Sequence, residues 1–180
     1  SSSGRGRYLQ VAASVGTALA RRGFEVVYGG ARVGTMGALA DAALAAGGTV
    51  IGVIPRNLVD WEVAHTGLTE LHVVDTMHER KAKMVELADV FIGLPGGTGT
   101  LEELLETWTW AQLGLHAKPL GLLDVDGFFT HFLRFVDHLV EDGFLRGPYR
   151  DMLLVEDDLD RLLERCAAYE PPDYTWSDET

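Results

Sequence analysis

The sequence predicts an α/β protein with a doubly wound, mostly parallel sheet, helices on both faces and a single domain. Three observations carry that expectation. Short apolar runs alternate with stretches of helical periodicity along the whole chain. The runs are continuous rather than alternating, as expected of strands covered on both faces. Clusters of glycine follow two of the runs, where a doubly wound sheet places its ligand loops.

In chain order, the strand-like runs are Phe24 to Tyr28, Thr49 to Ile54, Leu71 to Val74, Val90 to Leu94, Pro119 to Leu123 and Met152 to Val155. Helical patterns occupy Tyr8 to Arg22, Met36 to Ala46, His78 to Ala88, Leu101 to Leu113, Phe128 to Glu141 and Leu159 to Ala168. A doubly wound chain ordinarily opens on a strand that feeds a serine- or glycine-rich turn. Ser1 to Gly4 suit the turn, so a first strand is expected ahead of Ser1, outside this sequence. The α/β domain is assigned to residues 1–168, and 169–180 read as an acidic, flexible tail.

Composition narrows the function. Across 180 residues the formal charge is −12, which argues against nucleic acid or an anionic membrane as partner. The two halves differ: residues 1–90 hold nine basic and nine acidic side chains, and the whole excess lies beyond them. No apolar stretch reaches the ~18 residues of a membrane span, and no signal segment opens the chain. The single cysteine, Cys166, cannot form an internal disulfide. A cytoplasmic protein is expected.

The strongest motif is Pro95-Gly96-Gly97-Thr98-Gly99-Thr100 between a strand and the helix that opens Leu101-Glu102-Glu103. Glycines let the backbone approach a ligand, and a helix start offers N–H groups and a positive dipole end, together an anion site. No Gly-Lys-Ser/Thr follows, so this is not a P-loop, and Glu102 occupies the third glycine of the dinucleotide fingerprint. A monophosphate fits better than a pyrophosphate. A plainer reading is a tight turn with Thr100 and Glu103 as a capping box. The second cluster, Gly29 to Gly37 and including Gly30, reads either as a companion ligand loop or as helix–sheet packing.

Charged residues add to this. His78-Glu79-Arg80-Lys81-Ala82-Lys83 places three cations near a helix N-terminus, where they oppose the dipole unless an anion is bound. Glu79 can cap Thr76 and pair with Lys83, which leaves Arg80 and Lys81 as candidate ligand contacts. Leu101, Leu104, Leu105, Trp108 and Gln112 trace a core stripe, whereas Thr109 and Trp110 line a site, a subunit contact or ordinary packing. The histidine spacings give no metal site, and neither Cys166 nor Ser1 to Ser3 has an evident base.

With these residues assembled, the chain resembles the LONELY GUY family of cytokinin riboside 5′-monophosphate phosphoribohydrolases, often labelled lysine decarboxylases. The signature PGGxGTxxE stands as PGGTGTLEE, Pro95 to Glu103, with MHERKAKM at Met77 to Met84 and TWAQLGLHAKP at Thr109 to Pro119. The likeness reaches to about Phe144. It implies hydrolysis of the N-glycosidic bond of an adenosine 5′-monophosphate, N6-prenylated or plain, to free base and ribose 5-phosphate. Arg80 and Glu103 would be catalytic, with Arg80 orienting Glu103. Ser2, Gly30, Glu62, Lys81, Gly96, Gly97, Thr98, Gly99, Thr100, Leu101, Glu102 and Thr109 would contact the nucleotide. A homodimer or larger assembly is implied, and no cofactor or metal. Thr98 replaces the family's usual tyrosine, Ala31 a common glycine and Thr35 a common leucine. Two other readings stand beside this one. A molybdenum-cofactor-type carrier would use the phosphate loop but neither Arg80 nor Glu103, and a general AMP nucleosidase would share the chemistry.

Overall fold

The computed structural model describes residues 2–60 and 64–173 and divides the chain into two compact units, 1–88 and 89–180. Glu62 and the segment beyond residue 173, expected to be flexible, lie outside the described residues.

The first unit contains α1 (Ser2–Arg21), β1 (Val26–Tyr28), α2 (Gly34–Ala45), β2 (Val50–Pro55), α3 (Arg56–Asp60), β3 (Glu70–Val74) and α4 (Met77–Leu87). Its sheet has the order β1-β2-β3, all parallel, with Val26 opposite Val50 and Ile51 opposite Glu70. Every residue of β2 is buried, which explains its unbroken apolar run. Val26, Tyr28, Ala40, Ala43 and Val50 form the core, with Leu19 and Leu39 packed against it. Ser2, expected in a turn, instead opens α1; the glycines of SSGRGR disfavour a helix without forbidding it.

The second unit contains β4 (Phe91–Gly93), α5 (Thr98–Gln112), β5 (Leu120–Leu123), a 3₁₀ turn (Val125–Gly127), α6 (Thr130–Glu141), α7 (Gly147–Asp151), β6 (Leu153–Glu156) and α8 (Leu159–Ala167). Its sheet runs β4-β5-β6, again parallel throughout. The core joins Leu104, Trp108 and Ala111 of α5 to Leu120, Leu122, Phe129, Val136, Met152 and Leu153. The Trp108 indole N–H reaches the Tyr149 carbonyl at 2.9 Å, so its polar edge is satisfied inside the core. Leu105, expected in the core stripe, is 43% exposed: one position past Leu104, it turns about 100° away from the buried face.

The α/β class is therefore as expected, with parallel strands flanked by helices. Connections leaving the carboxyl ends of β1, β3 and β4 carry the two glycine clusters and the start of α4. In parallel sheets that edge is where ligands are met.

Candidate functional site

The start of α5 is built differently from the sequence expectation. Its N-cap is Gly97, and no side chain caps it. Helix therefore begins at Thr98, and the Leu101 amide already donates to the Gly97 carbonyl at 3.2 Å. The amides of Thr98, Gly99 and Thr100 precede that first helical bond, so none has a carbonyl one turn back. Thr100 sits inside the helix, so the Thr100–Glu103 capping box does not form. The Thr100 side chain folds back over the loop instead: a Cβ at Gly96 would overlap its hydroxyl and stand 2.8 Å from its Cβ. Glycine at 96 is thus required by close approach. Glu103 lies half-buried in the second turn, while Glu102 and Thr109 are exposed. The Thr109 hydroxyl donates back to the Leu105 carbonyl at 2.7 Å. Trp110 is half-buried.

The start of α4 shows the opposite arrangement. Here the capping box is present. The Glu79 amide donates to Thr76 Oγ1 at 3.1 Å, and Glu79 Oε2 accepts from the amides of Asp75 and Thr76 at 2.8 and 3.3 Å. Glu79 is thereby turned away from Lys83, which pairs with Glu86 at 2.9 Å.

Arg80 and Lys81, one residue further, are the buried charged side chains among the described residues, at 6% and 9% exposure. The Arg80 Nε–H donates to the Val53 carbonyl of β2 at 3.1 Å. Its guanidinium rests against Gly29 at the end of β1: a Cβ there would overlap Nη2 and come to 3.0 Å from Cζ. Two cations held out of water near a helix N-terminus cost desolvation and oppose the dipole.

The structure thus places Gly30, Arg80 and Lys81 on the carboxyl edge of the first sheet, and Gly96 to Glu103 on that of the second. Ser2 lies at the head of α1.

Two histidines escaped the sequence reading. His65 Nε2 lies 2.8 Å from Asp41 Oδ1, and its Nδ1 accepts from the Gly67 amide at 3.0 Å. His116 Nε2 lies 2.9 Å from the Thr107 carbonyl, and its Nδ1 accepts from the Lys118 amide at 3.2 Å. Burial pushes the His116 pKa down, against the Thr107 carbonyl and aided by nearby Lys118. A ring nitrogen that accepts an amide proton is visible in sequence only as a histidine two residues before its donor, a weak signal.

Parallel three-stranded sheets and an uncapped glycine-led helix start after a strand define the class: an α/β protein with a glycine loop at the carboxyl end of a strand and no P-loop lysine. A family model described as "Possible lysine decarboxylase" matches residues 36–166. The cytokinin riboside 5′-monophosphate phosphoribohydrolase of Rhodococcoides fascians is 51% identical over 87% of this chain and 80% of that protein. One of the same name from Arabidopsis thaliana is 45% identical over 95% of this chain and 75% of its own length. The chain belongs to the LONELY GUY family of cytokinin riboside 5′-monophosphate phosphoribohydrolases. Among solved structures, the molybdenum cofactor binding protein of Rippkaea orientalis matches with TM-score 0.67 at 20% identity, covering 89% of this chain and 86% of that one. That likeness is one of fold.

Among the described residues no helix is long and apolar enough to cross a membrane.

Proposed function

We propose that this protein hydrolyses the N-glycosidic bond of an N6-prenylated adenosine 5′-monophosphate, releasing the cytokinin base and ribose 5-phosphate. The observation that carries the reading is the start of α5, where three successive amides follow a glycine cap and, among the described residues, no side chain caps them. Such a start binds a phosphate monoester through N–H groups and the dipole together. Within the first unit, Arg80 and Lys81 hold fixed positive charge of the kind an anionic substrate calls for. The PGGTGTLEE and MHERKAKM segments and the named relatives support the enzyme over a carrier, for which only likeness of fold speaks.

Cleavage builds positive charge at C1′ in an oxocarbenium-like transition state. Glu103 is proposed to stabilise that charge and to take a proton from the attacking water. Hydroxide from that water adds to C1′, the C1′–N bond breaks, and the proton taken up by Glu103 is passed on, directly or through solvent, to the departing base. Thr98, a small residue in the loop, is proposed to influence substrate fit rather than the chemistry. A homodimer or larger homo-oligomer is proposed as the working assembly.

The test is chromatographic detection of free base from isopentenyladenosine 5′-monophosphate and, separately, AMP, with wild type beside Glu103→Ala. Loss of general acid–base help is expected to slow base release by ~10²–10⁴. Turnover of the variant within about tenfold of wild type would remove Glu103 from the chemistry. Equal rates on both nucleotides would make the protein a general AMP nucleosidase. Binding without release from either would favour a carrier.

A further inference from the structure

We propose that His65 is a positioning residue whose neutral imidazole latches the 64–67 turn onto α2, and so holds the Gly29–Val33 loop under Arg80. The inference rests on the hydrolase reading above. Its geometry lies wholly within the first unit. The Gly67 amide donates to Nδ1 at 3.0 Å, so that nitrogen carries the lone pair. The ring proton is therefore on Nε2, which faces Asp41 Oδ1 at 2.8 Å. Both ring nitrogens are engaged, and the side chain is only 12% exposed although Asp41 is 71% exposed.

The backbone continues the same connection. The His65 amide donates to the Gly30 carbonyl at 2.9 Å, and Ala64 bridges antiparallel to Ala31. Gly30 adopts φ of 74°, a left-handed conformation that glycine takes without strain, and this bend brings the loop alongside residues 64 and 65. Gly29, the next residue back, is the surface on which the Arg80 guanidinium lies. The path from Asp41 through His65 to Gly30 and Gly29 thus ends on a proposed catalytic cation. Asp41 and His65 touch it only through the loop, so they act through position, not through substrate.

Steady-state base release would be measured for Asp41→Ala, Asp41→Asn, His65→Asn and the Asp41→Ala/His65→Asn double variant. Asparagine at 65 keeps an acceptor for the Gly67 amide, as in an Asx turn, but is too short to reach Asp41. Asparagine at 41 keeps an acceptor for Nε2–H. Asp41→Ala and His65→Asn are each expected to lower kcat by roughly tenfold, the lower end for a hydrogen bond to a charged group. KM should change less than twofold. The double variant should lose no more than one single, and Asp41→Asn should keep at least half of wild-type kcat. Asp158→Ala, which removes the side-chain cap of α8, supplies a thermally destabilised control expected to keep its kcat. Singles within twofold of wild type, additive losses in the double, or an equal kcat loss in Asp158→Ala would each overturn the latch. Wild type that released no base would overturn the hydrolase reading itself, whereas imidazole ¹⁵N spectra showing an Nδ1–H tautomer would overturn the latch alone.

Discussion

Gly29→Ala offers a sharp test of the Arg80 seat. The added methyl would overlap Nη2 and press on Cζ at 3.0 Å, with Met36 Sδ at 3.4 Å. Ordinary carbon contacts begin near ~3.5 Å, so the guanidinium must retreat by on the order of 1 Å. The φ of Gly29 is not left-handed, so alanine adds no backbone strain there, and the effect is steric. Retreat stretches the 3.1 Å bond from Nε to the Val53 carbonyl. A hydrogen bond from a charged donor contributes about 1.5–3 kcal/mol, and for a chain of this length each kcal/mol moves Tm by roughly 2–4 °C. A fall of about 3–12 °C is expected. Misplacing a reacting group by ~1 Å costs as much as 10²-fold in rate, so kcat/KM for base release should fall toward that value. Gly47→Ala is the control: its φ of 80° makes alanine strained, but nothing lies within 4 Å of the new methyl. It should lower Tm by a comparable amount and leave kcat/KM alone. Gly29→Ala within threefold of wild-type kcat/KM would refute the seat, as would an equal kinetic loss in Gly47→Ala.

Three further outcomes follow from particular contacts. The folded state holds the His116 pKa below its ordinary value, so the unfolded chain binds the proton more readily. Stability from this residue is therefore present above about pH 6.5 and lost as pH falls from there toward the depressed value. His116→Gln should flatten the slope of urea midpoint against pH over that window; an unchanged slope refutes the assignment. The Tyr28 hydroxyl is buried with no hydrogen-bond partner among the described residues, and burial holds its pKa well above the usual value. Tyr28→Phe should accordingly be neutral or stabilising by up to about 1 kcal/mol in urea unfolding, and a loss above that would show a partner at work. Thr76→Ala removes the cap of α4 and should cost about 1 kcal/mol of stability, read as faster amide exchange at Glu79; unchanged exchange would mean the box contributes nothing.

Much of the architecture was legible because the buried strands advertise themselves. Val50–Pro55 is apolar throughout apart from Gly52, and its observed limits fall one residue beyond the expected Thr49 to Ile54. What escaped was local. The five-residue helices α3 and α7 are too short to show a period. Thr98-Gly99-Thr100 has poor helix propensity, so it read as loop. Yet it forms the first turn of α5, where unbonded amides make glycine and threonine less costly. In the candidate site, the charged run at Arg80 and Lys81 was conspicuous against an acidic chain, but its burial was not. The Val53 carbonyl lies 27 residues from Arg80 in sequence, and no periodicity links them. His65 was missed for the same reason, its carboxylate partner lying 24 residues away.

The two engaged histidines have a consequence for the chemistry of the surface. Acylating reagents such as diethyl pyrocarbonate attack the lone pair of a neutral imidazole nitrogen. In His65 and His116 that lone pair is already committed to a backbone amide two residues along the chain. The protein has six histidines, but toward an electrophile it should present four. His78 and His131, exposed on α4 and α6, should be modified fast, and the two turn-closing rings only as quickly as their turns open. The lag of those two would then time the local opening of the chain.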